Sequence, residues 1–538
     1  MSKRNAWRTF AALALGTTLA AVVVPSMSSA STAGLIPGVK VRPARFKPRH
    51  GGSMTILTDL SGGGAGWTTL NPLSNKAGGA ATPAMDAVFG TLFAQSANGQ
   101  VVPDLATGYK FTDGDKTLTI HLRHGATFSD GTPFNSQAVA YNFTQDLKPS
   151  TDCLCAGNFP LASMSTPNPY TVILTLKVPD SDLINVFPSE NPDWIISPTA
   201  LARDSAQVTN LEPVGAGPFI VQSDTPNVEI ILVRNPHYYA KGLPYLNKIT
   251  IKAVSNDSSA LAALQSGEAQ VYGGYGEYQN IGSITGSVNV YETQESVSPD
   301  AILFNTTKPP FNNILARQAI TYATNPEPIN RALFNGTATY TQSPTGPGGL
   351  FYEPIVPGYD SYNLKKAKAL VKQLGGLSAT LISYNDLLDQ EIDDALQTQW
   401  KAAGITLTID PVDTTTLIAD HGDGNWELSS DHPGAYDPAV ATGLRPDFSS
   451  AGFLSGDRDP VFDSMLDKST QISTTAGRAA AYRSIFKYLD DHAYADFLFV
   501  APLFLLTTKN VTWPLGGPGL EEPPFNAFYG QLAYTNTR

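Results

Sequence analysis

The chain has 538 residues, 42% of them apolar and 15% charged, so it can bury a large core and is not a disordered acidic segment. Against 35 Lys and Arg stand 47 Asp and Glu, a formal charge of −12, which excludes nucleic acid as the main partner because that affinity needs a cationic face. The length implies more than one lobe.

Residues 1–30 have the form of a secretory signal peptide. Lys3, Arg4 and Arg8 precede an apolar run from Phe10 to Val24, followed by Pro25 and the small residues Ser28, Ser29 and Ala30, so cleavage is expected after Ala30. The run contains Gly16, Thr17 and Thr18 and falls short of the roughly twenty apolar residues that span a bilayer. Residues 31–50 carry Pro37, Pro43 and Pro48 with Lys40, Arg42, Arg45, Lys47 and Arg49, the composition of an extended basic linker. Neither Cys153 nor Cys155 lies where a lipid-accepting Cys must sit. Their spacing strains a disulfide and closes almost no loop, so a structural or unpaired state is expected.

From Gly51 onward, β-rich runs broken by Gly, Pro, Asn and Asp predict strands at 53–57, 117–122, 171–176, 219–222, 229–234 and 248–254. The Gly-rich stretch from Ser61 to Gly66 follows a strand but lacks the Lys and Ser or Thr of a phosphate loop, and is read as a turn. Helical periodicity predicts helices at 257–266, 314–323, 365–374, 386–403, 461–472 and 476–492. Strands and helices alternate without a fixed repeat, which points to two or three α/β lobes.

Several stretches carry a more specific signal. They are Gly51-Gly52-Ser53-Met54-Thr55 with Leu70-Asn71-Pro72; the run from Gly99 to Phe143; Val214-Gly215-Ala216-Gly217-Pro218-Phe219; Arg234 to Tyr239; and Leu261 to Glu268. The stretch from Phe304 to Ala323 follows, then a closing helix pair with Asp459-Pro460, Asp463, Leu466, Arg478 and Tyr482. In this order they resemble the peptide, nickel and oligosaccharide-binding family (family 5) of extracytoplasmic solute-binding proteins of ATP-binding cassette importers. Ala138 and Asn325-Pro326 depart from the family pattern, which bears on local capping.

The resemblance implies an α/β fold, a two-lobed periplasmic-binding-protein-like clamp of type II with an additional domain. Lobe I would comprise 51–90, 212–296 and 500–538, the additional domain 91–211 and lobe II 297–499. It implies a monomer, extracytoplasmic (periplasmic or at the cell surface), whose partners are a small-molecule or peptide ligand and the permease and ATPase subunits of an importer. Crossings between lobes are expected near Gly215 and Gly217 and near Phe304 and Asn305, with tight turns as the alternative for the glycines.

In the resembling family an acidic residue of the last lobe meets the ligand ammonium. Here the matching stretch runs from Trp426 to Pro438, and either Asp437 or Asp431 takes that position, Asp437 being preferred; both also suit turns before Pro and Gly. Trp426 and Tyr436 offer aromatic walls or core packing, and Arg445 is the nearest basic group for a ligand carboxylate. Tyr272, Tyr275 and Tyr278, interleaved with glycines, are read as a surface loop near the cleft.

There is no G-x-S-x-G elbow and no H-E-x-x-H helix, so no catalytic residues are assigned and no cofactor is expected. His421, Asp423 and His432 lie close in sequence but set no metal geometry, so no metal site is assigned; His121 and His124 are read as structural. The alternative functions are binding of another solute, such as a nickel chelate or oligosaccharide, and a secreted enzyme or surface factor on the same fold.

Overall fold

The computed structural model describes residues 50–512 apart from 61–65, 75–78, 96–100, 149–158, 190–192, 277, 285, 294–297, 348, 434–438 and 453, together with 534 and 535. The leader, almost all of the linker and both cysteines therefore lie outside the described residues. In chain order the strands are β1 (Ser53–Asp59), β2 (Phe93–Gln95), β3 (Val101–Pro103), β4 (Ala106–Thr112), β5 (Thr117–Leu122), β6 (Leu161–Asn168) and β7 (Thr171–Leu176). They continue with β8 (Phe219–Thr225), β9 (Glu229–Arg234), β10 (Lys248–Val254), β11 (Val271–Tyr275), β12 (Asn289–Thr293) and β13 (Asp300–Phe304). Last come β14 (Thr339–Tyr340), β15 (Leu377–Tyr384), β16 (Ile405–Val412), β17 (Leu428–Asp431), β18 (Ala495–Val500) and β19 (Leu503–Thr507).

β2 and β3 pair with each other, and three larger sheets organise the other strands. Lobe I is a seven-stranded sheet in the order β12-β19-β11-β1-β10-β9-β8, drawn from three separated stretches of chain. The additional domain holds the antiparallel sheet β4-β5-β7-β6, and lobe II the six-stranded sheet β14-β18-β13-β17-β15-β16. Sequence explains the different cover of each sheet. In β5 every second residue is apolar and in β7 every second residue is buried, so Leu118 faces Leu174 and Ile120 faces Val172 on the buried side. In β18 all six residues are buried, as a central strand covered on both faces requires.

The chain passes between the lobe sheets twice, from β12 to β13 and from β18 through Ala501 and Pro502 to β19. Those links correct the expected crossings. Phe304 and Asn305 lie inside lobe II: Phe304 pairs with Leu428 across the ladder, and Asn305 is buried with its backbone N–H on Glu427 O at 3.0 Å and its Nδ2 on Trp426 O at 3.0 Å. Gly215 and Gly217 join the additional domain to lobe I rather than lobe to lobe. Both lie against the backbone of helix Thr82–Phe89, with Gly217 N–H donating to Val88 O at 2.8 Å and Ala216 N–H to Phe89 O at 3.2 Å.

Caps hold where the sequence departs from the family pattern. Asn135 Oδ1 accepts from Ala138 N at 3.0 Å, and Asn325 Oδ1 accepts from Glu327 N at 3.3 Å ahead of Pro326. His121 and His124 are exposed on the additional domain, the latter stacked on Tyr170 at 3.8 Å.

Candidate ligand-binding site

Strand direction gathers the polar groups at one edge of the lobe II sheet. β15 and β17 run parallel and end in Tyr384 and Asp431, while β13 runs antiparallel to β17 and opens with Asp300, Ala301 standing opposite Asp431. Helix Leu387–Ala403 starts at the same edge, where its N-cap Asp386 accepts from Asp389 N at 3.1 Å. The crevice outside the carboxyl ends of strands is where open α/β sheets bind ligands. This edge is also the one reached by the link from β12, and burial first, then the Asp300 and Asp257 charges, raise the pKa of the lobe I residue Tyr278.

Asp431 is 5% exposed, with Oδ1 accepting from His432 N at 2.7 Å and Tyr384 OH at 3.3 Å. Its Oδ2 has no hydrogen-bond donor among the described residues and lies 3.9 Å from His421 Nε2. His421 is buried, with Nδ1 against Leu454 O at 2.7 Å and Nε2 against Ser429 Oγ at 2.9 Å. Trp426 stacks on that imidazole at 4.3 Å and is 3% exposed within the lobe II core. Its indole N–H finds no acceptor among the described residues. Arg445 reaches Asp467 at 2.9 Å, an ion pair on the lobe II surface. Asp437 and Tyr436 lie in 434–438, outside the described residues.

The tyrosine segment is not a surface loop. Tyr272 is wholly buried in β11 with its hydroxyl on Asp257 Oδ1 at 2.5 Å, and Tyr278 is buried against Phe334 and Phe504. The apolar strand pattern, rather than the glycines, decides its placement; Tyr275 also belongs to β11.

Two groups that sequence reasoning missed complete the edge. His432 Nε2 stands 2.9 Å from Asp300 Oδ1, and one ligand atom from each of Asp300, Asp389 and His432 lies within 4.8 Å of the others. Desolvation pulls the His432 pKa down, but the bond to Asp300 and the charges of Asp300, Asp389 and Asp431 outweigh it and push it up to about 10. Burial pushes Asp389 up to about 8, the His432 charge opposing. The site thus holds a cationic imidazole beside acidic side chains, and Asp300, Asp389 and His432 become a donor set for a divalent cation only once the imidazole gives up its proton. His421 and Asp423 take no part in it.

Comparison with known proteins follows the same lines. Residues 100–455, more than half of the chain, match the family described as "Bacterial extracellular solute-binding proteins, family 5 Middle". The glutathione-binding protein GsiB of Salmonella typhimurium is 28% identical over 330 residues, which cover 60% of this chain and 64% of that protein. The chain thus aligns with less than two thirds of that relative's length. Among solved structures, the periplasmic binding protein DppA of Helicobacter pylori in complex with the peptide STSA superposes with a TM-score of 0.78 at 21% identity, covering 91% of this chain and 99% of that one. AgaA of A. tumefacien R10 in complex with agropinic acid gives a TM-score of 0.76 at 22% identity, covering 90% and 99%. These superpositions establish the α/β fold as the type II periplasmic-binding-protein-like clamp. No helix among the described residues is long and apolar enough to cross a membrane. The chain belongs to the bacterial extracellular solute-binding proteins, family 5.

Proposed function

We propose that this protein is the extracytoplasmic receptor of an ATP-binding cassette importer, and that it captures a di- or oligopeptide between lobe I and lobe II and passes it unchanged to permease and ATPase subunits. The observation that carries the reading is the acidic edge of the lobe II sheet, where Asp300, Asp389 and Asp431 stand around His432. A peptide closed into a cleft loses the water around its ammonium group, and a carboxylate there replaces that water with a charge-assisted bond. The peptide bound by DppA and the glutathione bound by GsiB, itself a tripeptide, support the same ligand class.

Capture proceeds by population shift. The clamp samples open and closed forms, and the ligand stabilises the closed one by the contacts it makes with both lobes. The Asp300, Asp389 and His432 donor set favours a second reading, a metal chelate as ligand. Mass spectrometry of small molecules released from the purified protein separates the two: peptides are expected, and a metal chelate or a sugar in their place overturns the proposal. Titration calorimetry with the released peptide then assigns the ammonium partner. Asp437→Ala is expected to weaken binding about a hundredfold or more, as loss of one member of a buried ion pair does. Unchanged affinity in that variant, with the loss found in Asp431→Ala instead, moves the role to Asp431; unchanged affinity in both ends the peptide reading.

A further inference from the structure

The additional domain is built into lobe I. Trp194 Nε1 donates to Asp86 Oδ1 at 2.7 Å, and Ser129 N–H donates to Gly215 O at 2.9 Å. Lobe II joins this body through the chain only at the two links described above.

Away from those links a second, non-covalent junction ties the additional domain to lobe II. Asp182 is buried just before the short helix Leu183–Val186 of the additional domain, where its Oδ1 accepts from Asn185 Nδ2 at 2.6 Å. Its carboxylate takes Arg478 Nη1 on one oxygen and Tyr482 OH, at 3.1 Å, on the other, and both partners lie on helix Thr475–Asp491 of lobe II. Next to it Ser181 donates twice to Thr470 O, from its N–H at 2.9 Å and its Oγ at 3.1 Å. The Tyr482 hydroxyl also meets the backbone of Ala441, just past the segment 434–438, and Ala439 packs into the hydrophobic core of the additional domain.

We infer that Asp182, Arg478 and Tyr482 form a latch that is made when lobe II closes on the body of lobe I and the additional domain, and that it sets how long a ligand is held without touching it. The inference rests on the clamp reading above. Two features argue for it. The junction joins the two bodies that a rotation about the links would separate. It is polar and nearly dry, so each group that loses its partner on opening gains water in exchange, and the balance is finely set.

A thiol at the junction reports its opening. In a Cys153→Ser, Cys155→Ser background, an Ala439→Cys reporter stands where the parent residue is 1% exposed, and an Ala84→Cys control stands fully buried in the lobe I core. Tyr482→Phe removes one hydroxyl and keeps the ring, and Asp182→Asn keeps the shape of the carboxylate; either serves if the other misfolds. Each is expected to raise the maleimide labelling rate of the Ala439→Cys reporter by about tenfold or more, the size set by one hydrogen bond to a charged group, with the Ala84→Cys control unchanged. Unchanged reporter rates in both variants, or a control that rises in step, overturn the latch. Peptides released from the protein are expected to slow reporter labelling in the parent. If the variants accelerate labelling and the peptides do not slow it, the latch stands and the peptide assignment fails.

Discussion

Gly215→Ala separates a hinge from a packing contact. A hinge glycine replaced by alanine shifts the balance of open and closed forms and leaves the fold nearly as stable as before. In the structure, a Cβ at Gly215 would stand 2.2 Å from Val88 O, 2.6 Å from Phe89 Cα and 2.7 Å from Val88 C. Every one of these atoms is backbone, so no side chain can swing aside. At Gly217 the distances are 2.5 Å to Ala87 O, 2.7 Å to Gly90 N and 2.8 Å to Val88 C. Neither glycine has a positive φ, so the cost is steric and not torsional. Overpacking relieved by side chains costs about 1–3 kcal/mol, and displacement of a helix backbone stands at or above the top of that range. At about 2–4 °C per kcal/mol for a lobe of this size, Gly215→Ala is expected to melt roughly 6–12 °C below the parent. Gly108→Ala is the control: it lies in β4 with nothing within 4 Å of its added Cβ, and is expected to stay within about 1 kcal/mol of the parent. Thermal melts followed by circular dichroism measure both. A Gly215→Ala protein that melts within about 2 °C of the parent refutes the packing argument and returns the residue to the hinge.

Two further outcomes follow from lobe II. His432 has its folded pKa raised from 6.5 to about 10, so its contribution to stability is full below pH 6.5 and is lost as pH rises through 10. Asp389, raised from 3.8 to about 8, acts with the same sign, its contribution being lost between about pH 4 and 8. His432→Gln should therefore flatten the fall in melting temperature between pH 6.5 and 9.5; the imidazole is 45% exposed, so screening limits the effect to about 1 kcal/mol, and parallel melting curves for parent and variant count against it. Trp426→Ala should destabilise lobe II by about 3–5 kcal/mol in denaturant titration, as loss of a buried aromatic stacked on His421 does, and a cost under about 1 kcal/mol would mean that the ring is not core.

Legibility followed periodicity. Strands with alternating burial, such as β5, β7, β9 and β10, and helices with an apolar stripe, such as Asp257–Ser266 and Ile314–Ala323, have the bounds that the sequence predicts. The lobe II strands escaped because their signal is of another kind. Ala495–Val500 is apolar without alternation, which a short apolar run shares with a buried helix segment, and Ile405–Val412 contains Pro411 at a sheet edge, where proline is tolerated. The candidate site divides the same way. Asp431 and His432 stand in one motif and could be found together, whereas Asp300 and Asp389 meet His432 only through the pairing of β13, β15 and β17. An acid in the first turn of a helix, which is all that sequence shows of Asp389, is also an ordinary favourable partner of the helix dipole.

On the clamp reading proposed above, the same residues bear on which body would turn. A pair of glycines in a family-like motif suggests flexibility, yet here glycine is needed for close approach, and it locks the additional domain to helix Thr82–Phe89. The freedom then falls to lobe II, whose second link to lobe I is two residues long and contains Pro502, with its fixed φ. A link this short permits rotation but little translation. Phe499 stands just before it and Phe504 just after. Phe499 packs on Phe334 at 4.8 Å and Phe504 on the lobe I ring Tyr278 at 5.9 Å, while Tyr278 and Phe334 meet at 5.0 Å across the lobes. These rings form an apolar contact beside the links, so on the clamp reading it is the other side of the junction, where Asp182 meets Arg478, that would set the balance between open and closed.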